Sequence, residues 1–155
     1  MAVVLNAEQL TAYLHAGFPD GRLEERMRVE HVDDATLRLR MEVDTSNLRP
    51  GASISGPTLF TMVDAAAWLL TVAHLGADRD AVTSSATINY LRRPGLADLV
   101  AEARLLKLGR RLAVSDVLVY SGDDPKPVAQ ATVNYAPIEG GSPVAGCRPA
   151  APSNR

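Results

Sequence analysis

Ser55-Gly56-Pro57-Thr58-Leu59-Phe60-Thr61-Met62-Val63-Asp64-Ala65-Ala66-Ala67-Trp68-Leu69-Leu70 decides how this chain is read. The stretch is apolar on nearly every side and predicts one buried helix from Pro57 to Leu75. Ser55 or Gly56 is placed to cap its start. Pro57 suits the first helical position, where its missing N–H costs nothing. Asp64 is the only charged side chain between Pro57 and Leu75. A carboxylate in such a helix must find partners or do chemistry, because burying it bare is expensive.

The surrounding chain has 155 residues, 46% hydrophobic, with a formal net charge of −2. That is one domain with room for a sizeable core. The nearly balanced charge, without a basic stripe, argues against nucleic acid as a main partner. A single cysteine, Cys147, rules out an internal disulfide and fits a reducing compartment. Met1 to Gln9 has no charged start followed by an apolar run, so no signal peptide is predicted and a cytoplasmic protein is expected. The longest apolar stretch holds Asp64 and several threonines, which makes it a poor membrane span. His15, His31 and His74 are scattered without metal-ligand spacing and read as structural.

Outward from the central helix, the pattern changes to strands. Thr36 to Asp44 alternates strictly, with Leu37, Leu39, Met41 and Val43 on one side and Thr36, Arg38, Arg40, Glu42 and Asp44 on the other. That is a strand with one wet face, on which Glu42 and Asp44 read as simply solvated. Arg22 to Val32 is also strand-like. Asn6 to Ala16 reads as a short helix capped by Asn6, with Leu10, Tyr13 and Leu14 on one face. Thr45 to Ile54 reads as a loop, and Gly76 to Asp80 closes the central helix.

Four more strands are predicted at Val82–Arg92, Ala97–Leu108, Arg111–Tyr120 and Pro127–Pro137. They are separated by turn formers: Arg93-Pro94-Gly95, Gly109-Arg110 and Ser121-Gly122-Asp123-Asp124-Pro125. Such short links favour antiparallel pairing of neighbours. The predicted organisation is an N-terminal helix in 1–20, a single domain in 21–138 and a disordered tail in 139–155, the tail holding Cys147. One helix cannot bury itself, and an antiparallel sheet with an apolar face needs a cover. The expected fold is α+β: a curved antiparallel sheet wrapped around one long central helix.

That layout is the hotdog fold, and the residues resemble those of acyl-CoA thioesterases of the phenylacetate-pathway (PaaI-like) type. The resemblance covers roughly Arg22 to Ile138. The family signature is a His-Gly-Gly turn, a helix, and a carboxylate nine residues after the His. Ser55-Gly56-Pro57 stands at the turn here and Asp64 at the carboxylate position. Ile88-Asn89-Tyr90-Leu91-Arg92-Arg93-Pro94 is similar to the family's strand ending in Leu-Arg-Pro. Lys107-Leu108-Gly109-Arg110-Arg111 is similar to its basic hairpin, and Pro127-Val128-Ala129-Gln130-Ala131-Thr132 to its closing strand.

The resemblance implies thioester hydrolysis in a homodimer or homotetramer, with the site between two subunits. Gly56 would offer its N–H to the thioester oxygen, and Asp64 of the other subunit would act as base or nucleophile, with Ser55 orienting substrate or water. A helix N-terminus suits the negative charge of a tetrahedral intermediate. The implied substrate-binding residues are Arg49 or Asn47 upstream of the turn, Thr61 and Trp68 on the helix, Asn89 and Arg92 on the strand, and Lys107, Arg110 and Arg111 on the hairpin. Arg92, Arg93, Lys107, Arg110 and Arg111 would cradle the phosphates of coenzyme A, which enters as part of the substrate; no metal or other cofactor is implied.

Two departures stand out. Ser55 replaces the family His and cannot carry a proton at neutral pH. Pro57 replaces the second Gly and has no N–H to donate. Read from residues alone, Thr58, Thr61, Asp64, Trp68 and Thr71 form a stripe that is either a mildly polar face meeting water or a seam lining a small cavity. Ser55 and Gly56 are likewise a plain helix cap. Ser55 does not read as a nucleophile, since no Gly-x-Ser-x-Gly surrounds it. Two further functions remain within the fold: a non-catalytic acyl-CoA or small-ligand binder, and a dehydratase or hydratase, which needs a His that the Ser55–Asp64 segment lacks.

Overall fold

The computed structural model describes residues 2–20 and 23–139. Six strands form one antiparallel sheet in the order β1-β2-β6-β7-β8-β5. These are β1 (Met27–Val32), β2 (Thr36–Met41), β5 (Asp80–Tyr90), β6 (Leu99–Leu108), β7 (Ala113–Ser121) and β8 (Ala129–Ile138). A two-residue ribbon, β3 (Leu48–Arg49) with β4 (Ser53–Ile54), precedes the long helix α2 (Gly56–Leu75), and the short helix α1 (Ala7–Gly17) opens the chain. The expected sheet-around-helix packing is observed.

Helix α2 forms as its sequence dictates. Ser55 is extended and its hydroxyl accepts from the Thr58 N–H at 3.3 Å. Gly76 ends the helix at φ 85°, a left-handed conformation that favours glycine. Leu59, Met62, Val63, Leu69 and Leu70 are fully buried against the sheet. Truncating any one leucine of this set to alanine costs about 2–5 kcal/mol. Alanines on the helix (Ala66, Ala67, Ala73) and on the strands (Ala101, Ala103, Ala129, Ala131) are all buried in the same core. By length and composition α2 could cross a membrane, but 72% of its apolar window is buried inside the fold, as in a core helix.

Several expected boundaries shift. Leu23–Arg26 is a turn of 3-10 helix, and the first strand starts only at Met27. Within the expected loop after β2, Asp44 caps a second 3-10 turn at Thr45–Asn47 and pairs with Arg26 at 3.0 Å, so it is more than solvated. The Arg93-Pro94-Gly95 link is not a hairpin. It carries the chain from β5 at the sheet edge to β6 in the interior, past β7 and β8. The expected tail lies outside the described residues beyond Glu139, Cys147 included.

The wet faces of β1, β2 and β6 carry a ladder of ion pairs: Arg38 donates to Glu30 at 2.9 Å and to Glu102, and Arg40 to Glu30. Exposed pairs of this kind contribute about 0–1 kcal/mol each. The two edges of the sheet differ. Edge strand β1 is capped by α1: the Val29 N–H donates to Thr11 Oγ1 at 2.9 Å, and His15 Nε2 meets the Met27 carbonyl at 2.8 Å. Edge strand β5 has no neighbour on its outer side among the described residues. A bare edge of this length is an invitation to pair with another chain.

His74, in the last turn of α2, is buried, and neither ring nitrogen has a hydrogen-bond partner among the described residues. Burial pushes its pKa below the ordinary 6.5, against the pull of Asp34. The unfolded chain therefore takes up this proton first. The stability contributed by neutral His74 is present above pH 6.5 and is lost as pH falls below it. Thermal unfolding at stepped pH is expected to show this loss in the wild type and a flatter profile in His74→Leu. Parallel profiles contradict it.

Candidate active site

Asp64 sits halfway along α2, where the helix crosses the Thr83 end of β5. It lines a cavity of about 390 Å³ together with Phe18, Glu24, Phe60, Thr61, Ala65, Trp68, Ala81, Val82, Thr83 and Tyr135. The wall is mostly aromatic and aliphatic. Asp64 is half-buried, and its Oδ1 accepts from Tyr135 Oη at 2.6 Å and from Thr83 Oγ1 at 3.0 Å. Burial first, then the charge of Asp64, hold the Tyr135 phenol far above the usual tyrosine range, so it stays a donor.

Trp68 is on the cavity wall, as its helical spacing predicts. Its ring lies 5.3 Å from that of Tyr13 and meets Phe18 edge-on at 6.1 Å, which fixes it in place. Thr61 also reaches the cavity and donates back to the Pro57 carbonyl at 3.0 Å.

Ser55 and Gly56 lie at the other end of the site region. The Gly56 N–H is at the first helical position and has no acceptor within the helix. The Gly56 carbonyl accepts from Tyr90 Oη at 3.2 Å, and a side chain added at Gly56 would meet the Tyr90 ring at 3.4 Å. Ser55 Oγ lies 2.8 Å from Thr58 Oγ1. Eight residues separate Gly56 from Asp64, about 12 Å along the helix axis. Within one chain, the carboxylate and the free N–H cannot reach one carbonyl group, which needs both at about 3 Å.

The other candidates are distributed along the sheet. The register aligns Thr83 with Tyr135, Ala113 and Leu108, and Tyr90 with Ala129 and Val119. Lys107, Arg110 and Arg111 are exposed on the β6–β7 hairpin at the Asp64 end. Arg92 is exposed at the Gly56 end. Six residues of strand, about 20 Å, separate the two groups, so one chain does not bring the expected phosphate cradle together. Arg49 is exposed on the β3–β4 ribbon, also at the Gly56 end, where its guanidinium and that of Arg93 flank Gly51.

Asn47 and Asn89 are placed away from the cavity. Asn47 is buried and accepts from Arg26 Nη1 at 3.0 Å and from the Asp44 N–H at 3.1 Å, holding the turn before the ribbon. Asn89 points to the opposite face of the sheet and donates to Gln130 at 3.0 Å. Among the described residues, no group of three or more His, Cys, Asp or Glu is placed to hold a metal.

Glu24, Thr83 and Tyr135 were not singled out from sequence. Tyr135 carried a faint signal: it falls on the inward side of a strand otherwise lined by Ala and Val, where a hydroxyl has to find a partner.

A family profile of the thioesterase superfamily matches residues 51–128, which includes the helix, the cap and Asp64. The chain belongs to the thioesterase superfamily. No curated protein matches it. Its fold is the hotdog fold of that superfamily. It is 36% identical to a candidate thioesterase from Silicibacter sp. TM1040, with a TM-score of 0.80 over 88% of this chain and 94% of that one. It is 26% identical to a variant of the thioesterase PA1618 from Pseudomonas aeruginosa, with a TM-score of 0.76 over 87% and 95% of the two chains. A hypothetical thioesterase from Streptococcus pneumoniae, solved with coenzyme A, is 25% identical, with a TM-score of 0.66 over 73% and 89%.

Proposed function

We propose that this protein hydrolyses acyl-CoA thioesters to free acid and CoA, as an enzyme of the phenylacetate-pathway (PaaI-like) type, working as a cytoplasmic homodimer or a tetramer built from such dimers. The observation that carries the proposal is the placement of Asp64: a half-buried carboxylate in an aromatic-walled cavity, beside the bare edge of β5. Pairing two β5 strands antiparallel about a two-fold axis sets the Thr83 end of one against the Tyr90 end of the other. Asp64 of one subunit then lies near Gly56 of its partner.

The same pairing gathers the basic groups. The hairpin with Lys107, Arg110 and Arg111 comes with Asp64, while Arg49 and Arg92 come with the partner's helix start. Two clusters that are about 20 Å apart in one chain then project past one end of the joined sheet, where phosphates of CoA are held.

In the proposed reaction, water attacks the thioester carbon and gives its proton to Asp64. The Gly56 N–H steadies the negative oxygen of the tetrahedral intermediate. That intermediate collapses with loss of the CoA thiolate, and the proton on Asp64 returns to solvent or to the thiolate. Ser55 caps the helix and so exposes the N–H. The acyl group sits against Trp68, Phe60 and Val82. A direct attack by Asp64 on the carbonyl is the alternative route.

The test is release of free thiol from a panel of aryl and alkyl acyl-CoAs. Turnover is expected. A second reading, a binder without turnover, is favoured by Ser55 and Pro57 standing where the family has His and Gly. Tight binding with no thiol released over hours would establish it. Arg110→Ala is expected to raise KM for CoA esters about threefold or more at low salt, with the difference shrinking as salt rises. An unchanged KM removes Arg110 from the phosphate contact.

A further inference from the structure

We propose that Tyr135 is the positioning residue of Asp64 and that, with Thr83, it ties up Oδ1 so that Oδ2 alone faces the substrate. This rests on Asp64 being the base of the proposed hydrolysis. Both hydroxyls converge on one oxygen, Tyr135 Oη at 2.6 Å and Thr83 Oγ1 at 3.0 Å. An ionised carboxylate oxygen offers about two lone-pair sites, and two donors fill them. Among the described residues no hydrogen bond to Oδ2 is present, and Asp64 lines the cavity.

The donors come from two different strands. Tyr135 is on β8, 71 positions from Asp64, and Thr83 is on β5, 19 positions away. Tyr135 Oη is also 3.1 Å from the Asp64 backbone carbonyl, so one side chain contacts both the carboxylate and the helical turn that bears it. The ring is 4% exposed and cannot swing away. An aspartate on a helix face otherwise has rotamers to choose from. Two donors from the sheet select one of them, which is the preorganisation a proton transfer needs. Tyr135 itself transfers no proton, because its phenol is held far above the usual range by burial and by Asp64.

Tyr135→Phe keeps the ring and deletes the hydroxyl. The expected result is a fall in kcat of about 10- to 100-fold with KM within about twofold. Thr83→Val is expected to give the same pattern, a smaller fall in kcat with KM nearly unchanged. A folded Tyr135→Phe protein with the wild-type kcat overturns the inference. So does a loss of activity carried mainly by a raised KM, which is the mark of disturbed packing. If Tyr135→Phe does not fold, Thr83→Val decides by the same two readouts. Asp64→Asn, measured alongside, separates the two levels. An inactive Asp64→Asn with an unaffected Tyr135→Phe defeats only the role of Tyr135. A fully active Asp64→Asn defeats the reading of Asp64 as base.

Discussion

Asp64→Asn is expected to reduce thiol release from acyl-CoA by about 10²- to 10⁴-fold, the contribution of a positioned general base. The substitution is nearly isosteric, and the asparagine carbonyl oxygen still accepts from Tyr135 and Thr83 as Asp64 Oδ1 does now. The amide nitrogen then takes the place of Oδ2, and it cannot take a proton from water. Cavity shape and the hydrophobic wall of Trp68 and Phe60 are retained. The loss is therefore expected in kcat, with KM little changed. Thiol release with the best ester of the panel, read beside a thermal melt, checks it. A folded Asp64→Asn protein with wild-type kcat contradicts the assignment.

Gly56→Pro is expected to cost about 10²-fold in kcat, close to 3 kcal/mol of transition-state stabilisation. The fold is expected to tolerate this change for specific reasons. Position N1 of a helix makes no intrahelical bond through its N–H, so proline removes only the donor that faces the substrate. Ser55, at φ −69° and ψ 150°, already has the extended conformation required before a proline. An added side chain meets the Tyr90 ring at 3.4 Å, an ordinary contact. Circular dichroism matching the wild type, together with the kinetic loss, is the expected pair of results. A folded variant with unchanged kcat removes the Gly56 N–H from the mechanism.

Parts of this molecule are legible in its sequence because their determinants are local. The start of α2 is written in three adjacent residues, Ser55, Gly56 and Pro57. The inward face of β2 is written in the alternation of Leu37, Leu39 and Met41, and all three are buried. Asp64 and Trp68 fall one helical turn apart and do share a wall of the cavity.

What is hidden depends on which strands meet. Arg93-Pro94-Gly95 has the chemistry of a turn whether the chain doubles back beside itself or crosses the sheet, and here it crosses. The donors that hold Asp64 arrive on β5 and β8, and no spacing rule joins positions so far apart. The basic residues could be counted but not located. Only the register shows that Arg92 and the Lys107–Arg111 hairpin lie at opposite ends of the sheet. Asn47 and Asn89 have amides suited to substrate, yet their partners in the fold are Arg26, Asp44 and Gln130.

The central claim is that each site is built from two chains, with the carboxylate from one and the helix N–H from the other. Mixing Asp64→Asn chains with Gly56→Pro chains tests it directly. Each parent is expected to be nearly inactive. A mixed dimer has one site with both groups intact and one with neither. Random exchange makes about half the dimers mixed, so about one quarter of wild-type activity is expected to return. Demonstrated exchange of subunits without any recovery contradicts the shared site.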